Sequence, residues 1–125
     1  MKQIFAKDAP AAIGPYCHAV VHGGMVFCSG QIPLDPKTMQ IVGTTIEEQT
    51  ARVMKNIEIV LAEAGTTMDK IVKATIFLDN INDFAGMNTV YEKCLAGHKP
   101  ARSAFEVGHL PKDALVEIEC IAIIE

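Results

Sequence analysis

Helical spacing occurs in only two stretches of this 125-residue chain, and β-prone runs surround both of them. In the first, Ile46, Val53, Ile57, Val60, Leu61 and Ala64 recur at intervals that line one helix face. Thr45 followed by Glu48 is a capping-box pattern at its start, and Gly65 is placed to end it. In the second, Phe84, Met87, Val90, Tyr91, Cys94 and Leu95 make the apolar stripe, with Asn82 as the candidate cap and Gly97 as the stop. Cys17–Val21, Met25–Ser29, Ile71–Leu78, Arg102–Val107 and Leu115–Ile124 read as strands, and residues 2–6 as a short edge strand. His22-Gly23-Gly24 suits a hairpin turn, while Pro33, Pro36 and Gly43 mark a loop. The order is ββαβαββ, and its strand–helix–strand units are long enough for a parallel crossover. Two helices cover only one face of so wide a sheet. The expectation is an α+β fold with a mixed sheet and both helices on one side. No repeat or linker divides the chain, so residues 1–125 read as one domain.

The uncovered face is where the sequence becomes chemically specific. A strand alternates faces at every residue, so Val116, Ile118, Cys120 and Ala122 share one side while Glu117, Glu119, Ile121 and Ile123 share the other. If that second side is buried, Glu117 loses water and needs a partner or a shifted pKa. Arg102 opens the preceding extended segment, and a planar guanidinium can clamp a carboxylate through two parallel bonds. Taken alone, either residue could equally be a solvated surface charge, and spacing does not choose between Glu117 and Glu119. Tyr16 follows the Gly14-Pro15 turn and could be packed or lining a pocket. Gly30 leaves its peptide groups open to close approach. Asn88 is capable of hydrogen bonding from the second helix, whereas Phe84 and Phe105 read most simply as core.

Composition narrows the classes. Half of the residues are hydrophobic and the formal net charge is −4. A chain of this length buries roughly two-thirds of its unfolded surface, and surplus apolar surface tends to enter a subunit interface. The acidic balance argues against a nucleic-acid binder relying on counterion release. No run of 18 apolar residues suggests a membrane span. The N-terminal residues lack the apolar stretch of a secretion signal, so a cytoplasmic location is expected. Cys17, Cys28, Cys94 and Cys120 show no paired spacing, which points to free, mostly buried thiols. His18 and His22 stand four apart but in a strand and its turn, so no metal site is expected. Cys28-Ser29-Gly30 is not the GxSxG of a serine hydrolase.

Several ordered motifs resemble one family. Pro100-Ala101-Arg102-Ser103, followed by Leu110-Pro111-Lys112-Asp113 and the run to Ile124, is similar to the C-terminal signature of the RidA/YjgF family, also called L-PSP. Ala11 to Tyr16, Phe27 to Pro33, and Asn82-Asp83-Phe84 leading to Met87-Asn88 match it as well. The resemblance implies a chorismate-mutase-like fold and homotrimers whose ligand clefts lie between subunits. It implies that Arg102 binds a substrate carboxylate and that Glu117 is the acid/base handling water, leaving Glu119 structural. Tyr16 becomes a pocket residue that positions ligand or water, and Gly30 offers its main chain. Ser29, Asn88 and the backbone of Ala104 join the substrate contacts. The implied activity is that of a 2-iminobutanoate/2-iminopropanoate deaminase. Such an enzyme hydrolyses enamine/imine intermediates released by serine and threonine dehydratases to 2-keto acids and ammonia, without a cofactor. Members have also been described as endoribonucleases or translation inhibitors, and a non-catalytic small-ligand-binding trimer would need the same grip.

Two positions depart from the family pattern. Many relatives have a cysteine where this chain has Ala104, so thiol chemistry does not transfer to this site. The segment Ala96-Gly97-His98-Lys99-Pro100-Ala101 looks shortened and lacks the aromatic residue that commonly precedes the proline, which bears on pocket shape and ligand choice.

Overall fold

Alternation along each strand decides which side of the sheet the helices cover. The computed structural model describes residues 1–125. Its strands are β1 (Lys2–Ile4), β2 (Ala19–His22), β3 (Met25–Gln31), β4 (Ile71–Leu78), β5 (Ala101–Glu106) and β6 (Val116–Ile123). They form one sheet in the order β1-β2-β3-β6-β4-β5. Only β4 and β5 run parallel, and the helix α2 (Phe84–Leu95) connects them as the crossover. The other helix, α1 (Ile46–Ala64), joins β3 to β4. Both helices pack on one face, giving the mixed α+β architecture.

Val116, Ile118, Cys120 and Ala122 of β6 are buried under the helices, in register with Ala74, Ile76 and Leu78 of β4. From α1 come Val53, Ile57, Val60 and Leu61, each fully buried. Burial of side chains this size contributes about 1.5–3 kcal/mol apiece. Thr45 and Glu48 form the reciprocal capping box, and Gly65 closes α1 in the left-handed conformation at φ 91°. The β2–β3 hairpin turns at Gly23 and Gly24, whose φ values of 59° and 75° exclude most side chains.

Polar residues on the core side of α1 tie down the long loop before it. Asn56 is fully buried; its amide donates to the carbonyls of Ile32 (3.2 Å) and Leu34 (3.0 Å), and its Oδ1 accepts twice from Arg52. Gln49 donates to Gly43 O and accepts from Leu115 N–H. Asn56→Leu keeps the helix but strands two carbonyls, an expected cost of about 2–4 kcal/mol. Thermal unfolding should show it as a Tm lowered by roughly 10 °C.

Some expectations are corrected. Asn82 does not cap α2: the residues before the helix form a short 3-10 turn, Ile81–Asp83, and the Asn80 side chain caps that turn by accepting from Asn82 N–H. The second helix ends on Ala96, itself left-handed at φ 50°, one residue before Gly97. Cys17, Cys28 and Cys120 are buried free thiols, but Cys94 is exposed, in a surface cleft that α2 shares with Met54, Lys55 and Glu58 of α1. Phe105 is not core. It is 45% exposed on the open face of the sheet, edge-to-face with Phe77 at 5.4 Å between ring centroids. Phe27, Ile121 and Ile123 lie on the same open face, which no element of the chain covers. No helix is long and apolar enough to cross a membrane.

Candidate functional site

Register separates the candidate residues into two groups. Arg102 pairs with Ala74, which pairs with Cys120, and both of these are buried beneath the helices. Arg102 therefore lies on the helix-covered face. Phe105 pairs with Phe77, which pairs with Glu117, and this row lies on the open face. Two strand spacings and a three-residue offset put the Arg102 and Glu117 backbones roughly 14 Å apart. Their side chains leave the sheet in opposite directions, so within one protomer they do not meet.

The open-face group is organised by a β-bulge. Cys28 pairs with Cys120 but Gln31 pairs with Ile118, so β3 carries an extra residue around Ser29 and Gly30. The Glu117 carboxyl fills the space beside Gly30: a Cβ there would sit 2.0 Å from Glu117 Oε2. Burial, with a smaller push from the Glu119 charge, raises the Glu117 pKa above the ordinary carboxylate range. Arg102 exerts no counter-pull across the sheet. Sequence left the direction of this shift open, and the facing of Arg102 is what decides it. Glu119 is exposed.

Tyr16 follows the Gly14-Pro15 turn, where its N–H donates to Gly14 O at 2.9 Å. Tyr16 is 48% exposed and lines, with Gly30, Ile13, His18, Met39 and Lys112, a cavity of about 420 Å³. His18 holds one wall. Its Nδ1 accepts from Ala6 N–H at 2.8 Å, so Nε2 carries the proton and donates to Pro10 O at 2.7 Å. The Ser29 hydroxyl donates to Cys17 O at 2.7 Å, which commits its proton to joining β3 with that wall. Across the mouth, Lys112 Nζ donates to Met39 O at 2.7 Å. Both of those residues are held at positive φ, 56° and 58°, a strain that needs a constraining surround.

Gly30→Ala would drive a methyl group into the Glu117 carboxyl. That carboxyl ends a flexible side chain and can swing away. The expected result is therefore a small stability change, roughly 1 kcal/mol or less by the usual cost of a strand substitution, with activity lowered at least tenfold. Thermal melts and kinetics on the same preparation would separate the two.

The helix-face group centres on Arg102. Its Nη1 donates to Asn88 Oδ1 at 2.5 Å, and its guanidinium lies 5.3 Å from the Phe84 ring centroid and 5.2 Å from that of Tyr91. Phe84, Asn88 and Tyr91 stand at i, i+4 and i+7 on α2 and so share a face. They fix the guanidinium while leaving most of its N–H groups unspent. Burial raises the Tyr91 phenol pKa, partly offset by Arg102 beside it. Ala104 follows on the same face and packs against the core. The edge position of β5 leaves one row of its backbone groups unpaired.

Gly30 links the first group, since Glu117 fills the space beside it and it lines the Tyr16 cavity, which neither Glu117 nor Ser29 lines. Arg102 and Asn88 are brought together, with Ala104 on the same strand face, but not with Glu117. Sequence reasoning missed the roles of His18, Lys112, Phe84 and Tyr91. The 84/88/91 spacing was the one available signal, and it was read as an apolar stripe. No cluster of His, Cys, Asp and Glu side chains suited to a metal ion occurs.

Comparison with known proteins gives the family and the fold. Residues 6–124 match the family described as Endoribonuclease L-PSP. A RutC family protein of Pyrococcus abyssi is 50% identical over 95% of this chain and 94% of its own. A protein of Salmonella typhimurium named 2-iminobutanoate/2-iminopropanoate deaminase is 45% identical, covering 98% of this chain and 97% of its own. Among solved structures, Escherichia coli TdcF with bound serine superposes with a TM-score of 0.95 at 40% identity, over 100% of both chains. With its residues matched almost end to end in both sequence and fold, the chain belongs to the L-PSP family, also known as RidA/YjgF.

Proposed function

We propose that this protein is a 2-imino acid deaminase acting on the iminopropanoate and iminobutanoate class, working in sites shared between copies of the chain in a homotrimer. The observation that carries the reading is the Glu117 carboxyl, half-buried, proton-affine and seated in the space that Gly30 leaves. A carboxyl of this kind is suited to accept a proton from water and return it. The missing half of the chemistry is an anchor for the substrate carboxylate, and Arg102 provides one with unspent N–H groups. The two lie on opposite faces of the protomer, so a second copy must bring its Arg102 to the first copy's Glu117. The exposed Phe27 and Phe105 of the open face favour such an association. Relatives named as imine deaminases support the same reading.

In the reaction, Arg102 holds the carboxylate so that the imine carbon faces a water beside Glu117. Glu117 takes a proton as that water adds to C2, giving a tetrahedral carbinolamine. Return of that proton to nitrogen completes the amine. Glu117 then takes the carbinolamine's hydroxyl proton as the C=O bond forms and passes it to the departing nitrogen, so that the C–N bond breaks with ammonia as the leaving group and the 2-keto acid remains. Each atom of the water is accounted for: oxygen in the ketone, hydrogens on nitrogen. Positioning of this kind can supply several kcal/mol of barrier reduction, about 7–11 at its upper range. Tyr16 and the Gly30 peptide orient water and substrate.

The test couples the purified protein to a threonine dehydratase supplied with L-threonine and follows 2-oxobutanoate appearance with semicarbazide present to trap free imine. Keto acid should form faster at the expense of the semicarbazone. Unchanged partitioning at equimolar protein sinks the proposal. Cleavage of RNA by the same preparation, abolished in Arg102→Ala, would favour instead the endoribonuclease named in the family description.

A further inference from the structure

The Arg102 side of the site holds more recognition chemistry than one carboxylate uses. A cavity of about 390 Å³ opens there, lined by Arg102, Asn88, Tyr91, Lys99 and Glu92. That size falls within the range of small-molecule sites, roughly 300–1,000 Å³, and exceeds the needs of a three-carbon acid. Arg102 commits Nη1 to Asn88 and stays free elsewhere. Tyr91 keeps only 8% of its surface exposed, yet its hydroxyl has no hydrogen-bond partner. That hydroxyl is itself buried, so it is the Tyr91 ring that forms part of the cavity wall. Lys99, immediately before Pro100, lines the same cavity and forms no ion pair. Its neighbour His98 is pinned through Nε2 to Ile71 O at 2.7 Å, which fixes the segment carrying the lysine. Two cations, Arg102 and Lys99, thus face one carboxylate, Glu92, around the cavity.

We propose that this cavity selects 2-imino acids bearing a second acidic group, the four- and five-carbon dicarboxylates, over the monocarboxylates; the proposal rests on the deaminase reading above. The 2-carboxylate pairs with the Arg102 fork. The distal carboxylate reaches the Lys99 ammonium, a donor that a methyl or ethyl side chain leaves unused. An aromatic residue at position 99 would instead close that end with an apolar wall.

Calorimetric titration with 2-keto acids reads binding without turnover, and imines generated by amino-acid oxidases from aspartate and from alanine read catalysis. Oxaloacetate and 2-oxoglutarate should bind about fivefold tighter than pyruvate and 2-oxobutanoate, the size of effect expected for a partly exposed ion pair. That ratio should fall toward one in Lys99→Met. The ratio of kcat/KM for iminosuccinate over iminopropanoate should fall in parallel. Monoacids bound or hydrolysed as well as diacids by the wild type overturn the selection alone. So does a Lys99→Met variant in which both classes weaken equally. Diacid-selective binding with no turnover of either imine would leave the selection standing and remove the deaminase. Failure of every acid to bind would remove both.

Discussion

Arg102→Ala is expected to lower kcat/KM for 2-imino acids by about a hundredfold to a thousandfold, as the loss of a charge-assisted bidentate pair implies. The fold should survive, because the guanidinium stands at the sheet edge; its contacts with Phe84 and Tyr91 are worth about 1 kcal/mol together. Arg102→Lys should recover little. A lysine ammonium cannot present two parallel donors, nor lie flat against the two rings that now orient the side chain. Thermal melts run beside the kinetics distinguish lost binding from lost structure. The opposed facing of Arg102 and Glu117 adds a sharper outcome. Mixing Arg102→Ala chains with Glu117→Gln chains, unfolding and reassembling them together, should restore activity that neither has alone. Random co-assembly around a closed ring leaves about a quarter of the interfaces with both native groups. No recovery in the mixture, with both variants assembled, would show that one chain supplies the whole site.

What could be read before the structure was whatever depends on local pattern. β4 follows its β-branched run from Ile71 to Leu78 without adjustment, and α1 takes the Thr45–Glu48 cap and Gly65 stop that its sequence encodes. The entry to α2 was misassigned because two asparagines stand close together and either could cap. The choice of Asn80 depends on the 3-10 turn that follows it, a feature with no periodic signal. Phe105 was misplaced for a related reason: aromatic content favours a strand but does not say which face is covered. The facing of Arg102 is the consequential case. Pro100-Ala101-Arg102-Ser103 has no internal alternation of apolar and polar residues, so its orientation is set only by pairing with β4. Ala74, buried beneath α2 in the same row, turns the arginine toward the helix. Motif matching identified Arg102 and Glu117 as the pair; only the register shows that a single chain keeps them apart.

Glu117→Gln should cost about 10²–10⁴-fold in kcat, the span for a general acid/base, while KM for the imino acid changes little because Arg102 is untouched. The amide fits the same space beside Gly30 but can neither take nor return a proton. Wild-type activity should fall on the acid side, as the carboxylate becomes protonated, with a midpoint above that of an ordinary glutamate because burial and then Glu119 raise it. In the variant that limb should vanish along with most of the rate. Stability must move the other way. A carboxyl whose native pKa exceeds its unfolded one binds its proton more tightly when folded. Its contribution is therefore fully present below the unfolded pKa and is lost as pH rises through the native value. At neutral pH the wild type carries a half-buried charge with no cationic partner in its own protomer, and Glu117→Gln relieves it. The variant should melt at or above the wild-type temperature at pH 7, with the difference shrinking as pH falls below the ordinary carboxylate range. A residue kept ionised against the interest of the fold is the signature of a functional carboxylate. A variant less stable than wild type at pH 7 would mean that the charge already has a partner across the interface, and Arg102 of the adjoining copy would be the first residue to substitute.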